Sequence, residues 1–82
     1  MEFEGSVKIR RREDGQIEVK FEPKEPKEGA GRTKRFSTYD GMRRYLTEVG
    51  MKGEKIPAAQ ELRPGKSVTI ADVKVDRDLV GI

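Results

Sequence analysis

Two short runs of alternating apolar residues, Phe3, Val7, Ile9 and then Ile17, Val19, Phe21, flank the triplet Glu13-Asp14-Gly15. A period of two sends successive side chains to opposite faces of a strand, so each run reads as a half-buried strand and the triplet as the turn between them. The length of the turn then decides the register. A two-residue Asp14-Gly15 loop pairs Ile9 with Lys20 and puts the two apolar sets on opposite faces. A three-residue loop, with Gly15 in the left-handed position of a G1 bulge, pairs Ile9 with Val19 and Val7 with Phe21. Only the second register builds a core. It sets Ser6, Lys8, Arg10 and Arg12 opposite Glu22, Lys20, Glu18 and Gln16 on the other face, with an Arg10–Glu18 ion pair expected there. Arg11 falls on the apolar side, where its stem can follow the core edge while its head reaches water.

The stretch from Glu22 to Arg32, EPKEPKEGAGR, has two prolines, two glycines and alternating charge, and residues 23–31 read as a flexible loop. RTKRF suggests a third short strand with Phe36 inward. Ser37 is the expected N-cap, with Asp40 three residues on. Tyr39, Met42, Leu46 and Val49 then repeat at helical spacing before Gly50, which predicts one amphipathic helix from about Thr38 to Val49. Asp40–Arg44 and Arg44–Glu48 are expected helix-surface pairs.

After a mobile MKGEK, Pro57 to Leu62 suggests a short helical turn ended by Pro64-Gly65. Ser67 to Val75 reads as a strand whose inward positions change phase, from Val68 and Ile70 to Val73 and Val75, which predicts a bulge near Ala71-Asp72. The expected fold is one α+β domain over residues 1–82: an antiparallel sheet of three to four strands, an N-terminal hairpin, one covering helix and a C-terminal strand. Val7, Ile9, Val19, Phe21, Phe36, Met42, Leu46, Val49, Ile70 and Val73 are its expected core.

Composition narrows the chemistry. With 82 residues the chain is a single small domain, in which a deep catalytic cavity would compete with the core, so a surface function is favoured. Cysteine and histidine are absent. That removes disulfides, thiolate nucleophiles, Cys/His zinc sites and the side chain that titrates unaided near neutral pH. No run approaches the roughly 18 apolar residues of a membrane span, and MEFEGSVKIRRRE carries charge where a signal peptide needs an apolar segment. A cytoplasmic protein without cofactor or membrane association is expected. The lack of Asn, with Gln only at positions 16 and 60, and the abundance of Lys, Arg and Glu suit a thermophilic source.

Several motif fragments fail on inspection. RPGKSVTI contains the Gly-Lys-Ser that ends a P-loop, but the earlier glycine position holds Gln60, Pro64 removes an N–H from the cradle, and a strand follows where a helix is needed. GAGR lacks the third glycine of a dinucleotide fingerprint. Asp72, Asp76 and Asp78 lack the spacing, glycine and bidentate Glu of a calcium loop. No carboxylate pair stands out for acid–base work, and an enzyme is not expected.

The basic residues carry the remaining signal. The formal charge is +3, and residues 23 to 55 hold nine basic against five acidic side chains. Lys8, Arg10 and Arg12 share a strand face, Arg32, Lys34 and Arg35 approach the helix, and Arg43 and Arg44 lie on it. Such donors on one surface suit phosphate contacts, whereas a solvated charged face would have the same composition. The segments GSVKIRRREDGQIEVKF, GRTKRFST and YDGMRRYL together resemble the AP2-like, arm-site DNA-binding domains of phage-type integrases. That resemblance, over residues 5–49, implies three antiparallel strands and a packed helix, with the sheet inserted in the DNA major groove. It makes Lys8, Arg10 and Arg12 sheet-face contacts and Arg35 the basic residue before the Phe36-Ser37-Thr38 junction. The chain departs from the family pattern in its longer charged loop, in Glu18 on the reading face, in the lack of a strand aromatic there, and in a strand after the helix. The expected function is a small binding module for nucleic acid using Lys8, Arg10, Arg12, Arg32, Lys34, Arg35 and Arg43. The alternative is a protein-interaction or inhibitor-type module. Oligomeric state is not encoded in any of these features.

Overall fold

A computed structural model describes residues 2–24 and 33–80. Strands β1 (Glu2–Arg11) and β2 (Ile17–Pro23) form the hairpin, β3 (Lys34–Phe36) follows, then helix α1 (Tyr39–Glu48), two 3-10 turns (Gly53–Lys55 and Ala59–Glu61), β4 (Ser67–Asp76) and a one-turn α2 (Arg77–Val80). The fold is α+β, as expected: a four-stranded antiparallel sheet in the order β3-β2-β1-β4, with α1 against one face. No helix among the described residues is long and apolar enough to cross a membrane. Residues 25–31 of the expected loop lie outside the described residues; Pro23 belongs to β2, and the Lys24 N–H donates to the Glu4 carbonyl at 3.0 Å.

The hairpin has the three-residue register. Ile9 faces Val19 and Val7 faces Phe21. Gly15 has φ +93°, its N–H donates to the Arg12 carbonyl at 2.9 Å, and the Arg12 N–H donates to the Gln16 carbonyl at 2.7 Å. β4 pairs with β1 in two registers: Ile9 and Val7 face Val68 and Ile70, whereas Gly5 and Phe3 face Val73 and Val75. Two steps on β1 therefore span three on β4, and the extra residue is taken up where Asp72 adopts φ +56°. This bulge restores the phase, so both halves of β4 turn their valines and isoleucine toward the helix.

Gly5 sits on that inner face beneath the ring of Phe3. A Cβ there would meet the Glu22 carbonyl oxygen and come within 2.9 Å of Phe3 Cζ and Pro23 Cα. The space it leaves lets Phe3 pack edge-on against Phe21, centroids 5.5 Å apart.

Thr38, rather than Ser37, caps α1: its Oγ1 accepts from the Gly41 N–H at 3.1 Å. The helix closes in a Schellman motif, in which the Gly50 N–H donates to the Thr47 carbonyl at 3.1 Å and the Met51 N–H to the Leu46 carbonyl at 3.0 Å, with Gly50 at φ +104°. That turn aims Met51 back onto the core, where it is buried. The segment expected to be mobile is thus partly a core element, held further by Lys55 Nζ donating to the Asp72 carbonyl at 2.8 Å.

The core contains Val7, Ile9, Val19, Phe21, Met42, Leu46, Val49 and Val73 as expected, and adds Phe3, Ile17, Met51, Ile56, Leu62 and Val75. Phe36 and Ile70 are only partly buried against it, because they lie toward the edges of the sheet. Leu62 closes the hairpin end and brings its carbonyl to Arg11, whose Nη1 donates to it at 3.1 Å while Nε is buried without a partner. The Arg11 head is therefore drawn in toward the Leu62 carbonyl instead of extending freely into water.

Candidate nucleic-acid interface

One face of the sheet packs on α1; strand alternation sends the even-numbered residues of β1 and β2 to the other. In rows across the strands, this open face carries Arg35, Glu18, Arg10 and Ser67, then Lys20, Lys8 and Thr69, then Glu22 and Ser6, then Glu4 and Lys74. The rows are polarised. The hairpin half holds four cations and one carboxylate, and the half toward β2's end holds two carboxylates, Glu22 and Glu4, and one cation, Lys74.

Within the hairpin half, Glu18 is paired to Arg35 on β3 (Nε to Oε2, 3.5 Å) and not to Arg10, which lies opposite it. β3 approaches Glu18 from the other side, and the Arg35 fork reaches it first. This replaces the expected Arg10–Glu18 pair. Lys8, Arg10 and Lys20 consequently form no ion pair with another described residue, and Lys8 stands directly opposite Lys20. Like charges in opposed positions destabilise a sheet, so the triangle costs stability unless an anion covers it.

The expected contact residues separate into several places. Lys8, Arg10 and Arg35 share the open face. Arg12 lies at the turn and pairs with Asp14 (3.5 Å). Lys34, in register with the buried Val19, projects to the helix side, its Nζ 4.3 Å from the centroid of the Tyr45 ring. Arg43 and Arg44 are exposed on α1, behind the sheet, and the expected pairs of Arg44 with Asp40 and Glu48 are not among the ion pairs of the described residues. Arg32 lies outside the described residues. Lys34 and Arg43 therefore lie on the helix side of the sheet, and Lys8, Arg10 and Arg35 on the opposite face.

Lys20 is the member of the cluster that a count of clustered basic residues passes over, since it stands between Glu18 and Glu22 in sequence. The hairpin register is the signal that finds it: pairing Ile9 with Val19 obliges Lys8 to face Lys20.

Around Tyr45 the helix side is apolar and aromatic, with Phe36 at 5.3 Å and Phe21 at 6.4 Å between ring centroids. Burial there pushes the Tyr45 hydroxyl above its ordinary pKa. That OH donates to the Leu79 carbonyl at 3.5 Å, a structural contact. Among the described residues no group of three or more His, Cys, Asp or Glu is arranged to hold a metal ion, so Asp72, Asp76 and Asp78 do not converge.

Comparison with protein-family models, curated proteins and solved structures finds no match.

Proposed function

We propose that this protein is a small, non-enzymatic binding module that holds nucleic-acid phosphates against the hairpin half of its open sheet face. The observation that carries this reading is the Lys8, Arg10 and Lys20 triangle, in which opposed cations form no ion pair with another described residue although Glu18 stands opposite Arg10. A charged face that serves only solubility gains from interspersed signs. Three adjacent cations, bordered by the small hydroxyl residues Ser67 and Thr69, instead present donors to closely spaced anions such as successive phosphates. Lys8 and Arg10 are also the positions that the integrase-type resemblance would place against DNA.

The test is binding to duplex DNA, duplex RNA and single strands over a salt series. Wild type is compared with a Lys8→Gln, Arg10→Gln, Lys20→Gln variant and with an Arg43→Gln, Arg44→Gln variant on the helix. Salt-sensitive binding lost only in the sheet-face variant supports the proposal. No binding at low salt, or loss in the helix variant alone, overturns it and turns the search to a protein partner.

A further inference from the structure

Beside the basic triangle the open face sinks into a depression of about 420 Å³. Its origin is the β4 bulge. Ser6 has no directly paired residue on β4, because the register jumps from Gly5–Val73 to Val7–Ile70. Opposite it the chain offers only Ala71 and Asp72, the residues of the bulge. A short side chain on one strand and a gap on the next leave a hollow, walled by the carboxylates Glu4, Glu22 and Asp72 and by Lys74, with Pro23 and Lys24 at its end. Its volume falls in the range of small-ligand sites, roughly 300–1,000 Å³.

The walls are selective in chemistry. Glu4 is engaged with Lys74 at 3.8 Å, whereas Glu22 and Asp72 make no ion pair with another described residue. Carboxylates accept hydrogen bonds and repel acceptors. Glu22 faces Ser6 one row from the Lys8–Lys20 pair, about 7 Å along the strands, a span comparable to that from a phosphate to the base of the same nucleotide. A ligand that meets both rows needs an anion at one end and adjacent N–H donors at the other. Guanine offers N1–H and the N2 amino group side by side, matched to the two oxygens of a carboxylate. Adenine and cytosine present one amino group next to an acceptor, and thymine or uracil flanks its single N–H with two carbonyls.

The geometry points to a guanine-selective base site in this depression, with Glu22 as the carboxylate that reads N1–H and N2–H of an unpaired guanine whose phosphate lies on Lys8 and Lys20. The inference rests on the phosphate-binding reading above and adds to it a base identity and a preference for single strands.

The experiment uses a labelled twelve-nucleotide oligothymidylate, the same strand with one central guanine, and that strand with inosine, which lacks the N2 amino group, in the guanine's place. Each is titrated against the full chain. Loss of a charge-assisted hydrogen bond corresponds to roughly tenfold or more in affinity, so the guanine strand is expected to bind about tenfold more tightly than oligothymidylate, with inosine between them. Glu22→Gln is expected to abolish the guanine preference while binding oligothymidylate no more weakly than wild type, since a negative charge is removed. Ser6→Gln, which fills the hollow, gives the same loss of preference by a second route. Circular dichroism verifies that both variants are folded. Equal affinity for the three strands, or a preference that survives Glu22→Gln, overturns the base site while leaving salt-sensitive oligothymidylate binding to support the phosphate reading. Absence of binding to any strand overturns both. An oligolysine peptide that binds wild type but not Glu22→Gln assigns the hollow to a cationic side chain of a protein and overturns the guanine assignment.

Discussion

Replacing Lys8 by Glu should make the protein more stable and a poorer ligand for nucleic acid at the same time. In the folded chain Lys8 faces Lys20 across β1 and β2, has Arg10 two residues along the same face, and meets only Thr69 on β4. A carboxylate at this position would thus face Lys20 directly, with Glu18 and Glu22 only diagonal to it on β2. Opposed like charges in a sheet cost, and opposed unlike charges contribute, roughly 0.2–1 kcal/mol each. Exposure and side-chain entropy trim the gain, so the swing for Lys8→Glu is about 0.5–1.5 kcal/mol. For a domain of this size that corresponds to a rise in Tm of about 2–12 °C at low salt, shrinking toward zero near 1 M salt as the charges are screened. In the same variant the slope of log affinity against log salt should fall by at least about one, the signature of a lost phosphate contact. Thermal melts at two ionic strengths and a binding salt series measure both effects. A Tm that falls or stays fixed at low salt would refute the opposed-cation arrangement. An unchanged salt slope would refute its role in phosphate binding.

Four further outcomes are expected. Gly5→Ala should destabilise by about 3 kcal/mol or more in urea unfolding, because its Cβ runs into the Glu22 carbonyl and the Phe3 ring. Leu62→Ala, at a fully buried position, should cost about 2–5 kcal/mol in the same assay; a cost under about 1 kcal/mol would mean that Leu62 does not close the core. Asp72→Val should cost about 1–2 kcal/mol, since a β-branched residue is strained at φ +56°, whereas Asp72→Gly should stay within about 0.5 kcal/mol of wild type. The Tyr45 hydroxyl, raised by burial, favours the neutral phenol in the folded state. Its contribution to stability is complete below the ordinary tyrosine value of 10.0 and is lost as pH rises through the higher folded value. Absorbance titration of a Tyr39→Phe variant, which leaves Tyr45 alone, should show ionisation above 10 with unfolding alongside; ionisation at or below 10 would contradict this.

Much of the fold was legible in the chain because period-two patterning and a glycine turn leave one register that buries all apolar residues together. Ile9 opposite Val19, Gly15 in the left-handed region, and the bulge at Ala71-Asp72 all follow from that rule. The rule ends where contact is made by chain that has no period. Met51, Ile56 and Leu62 belong to irregular segments, and only the Schellman turn and the two 3-10 turns bring them over the core. Ser37 and Thr38 are both competent caps, and the choice of Thr38 depended on how β3 delivers the chain to α1.

The site divides along the same line. Sequence by itself determined that the chain is basic, lacks histidine and cysteine, and places Lys8 and Arg10 away from the core, since local alternation fixes which way a strand side chain faces. Tertiary structure alone decided that Arg35 rather than Arg10 takes Glu18, that Lys34 turns to Tyr45 on the helix side, and that a hollow opens at Ser6. Those outcomes depend on which strands become neighbours, and strand order is a long-range property that no local pattern encodes.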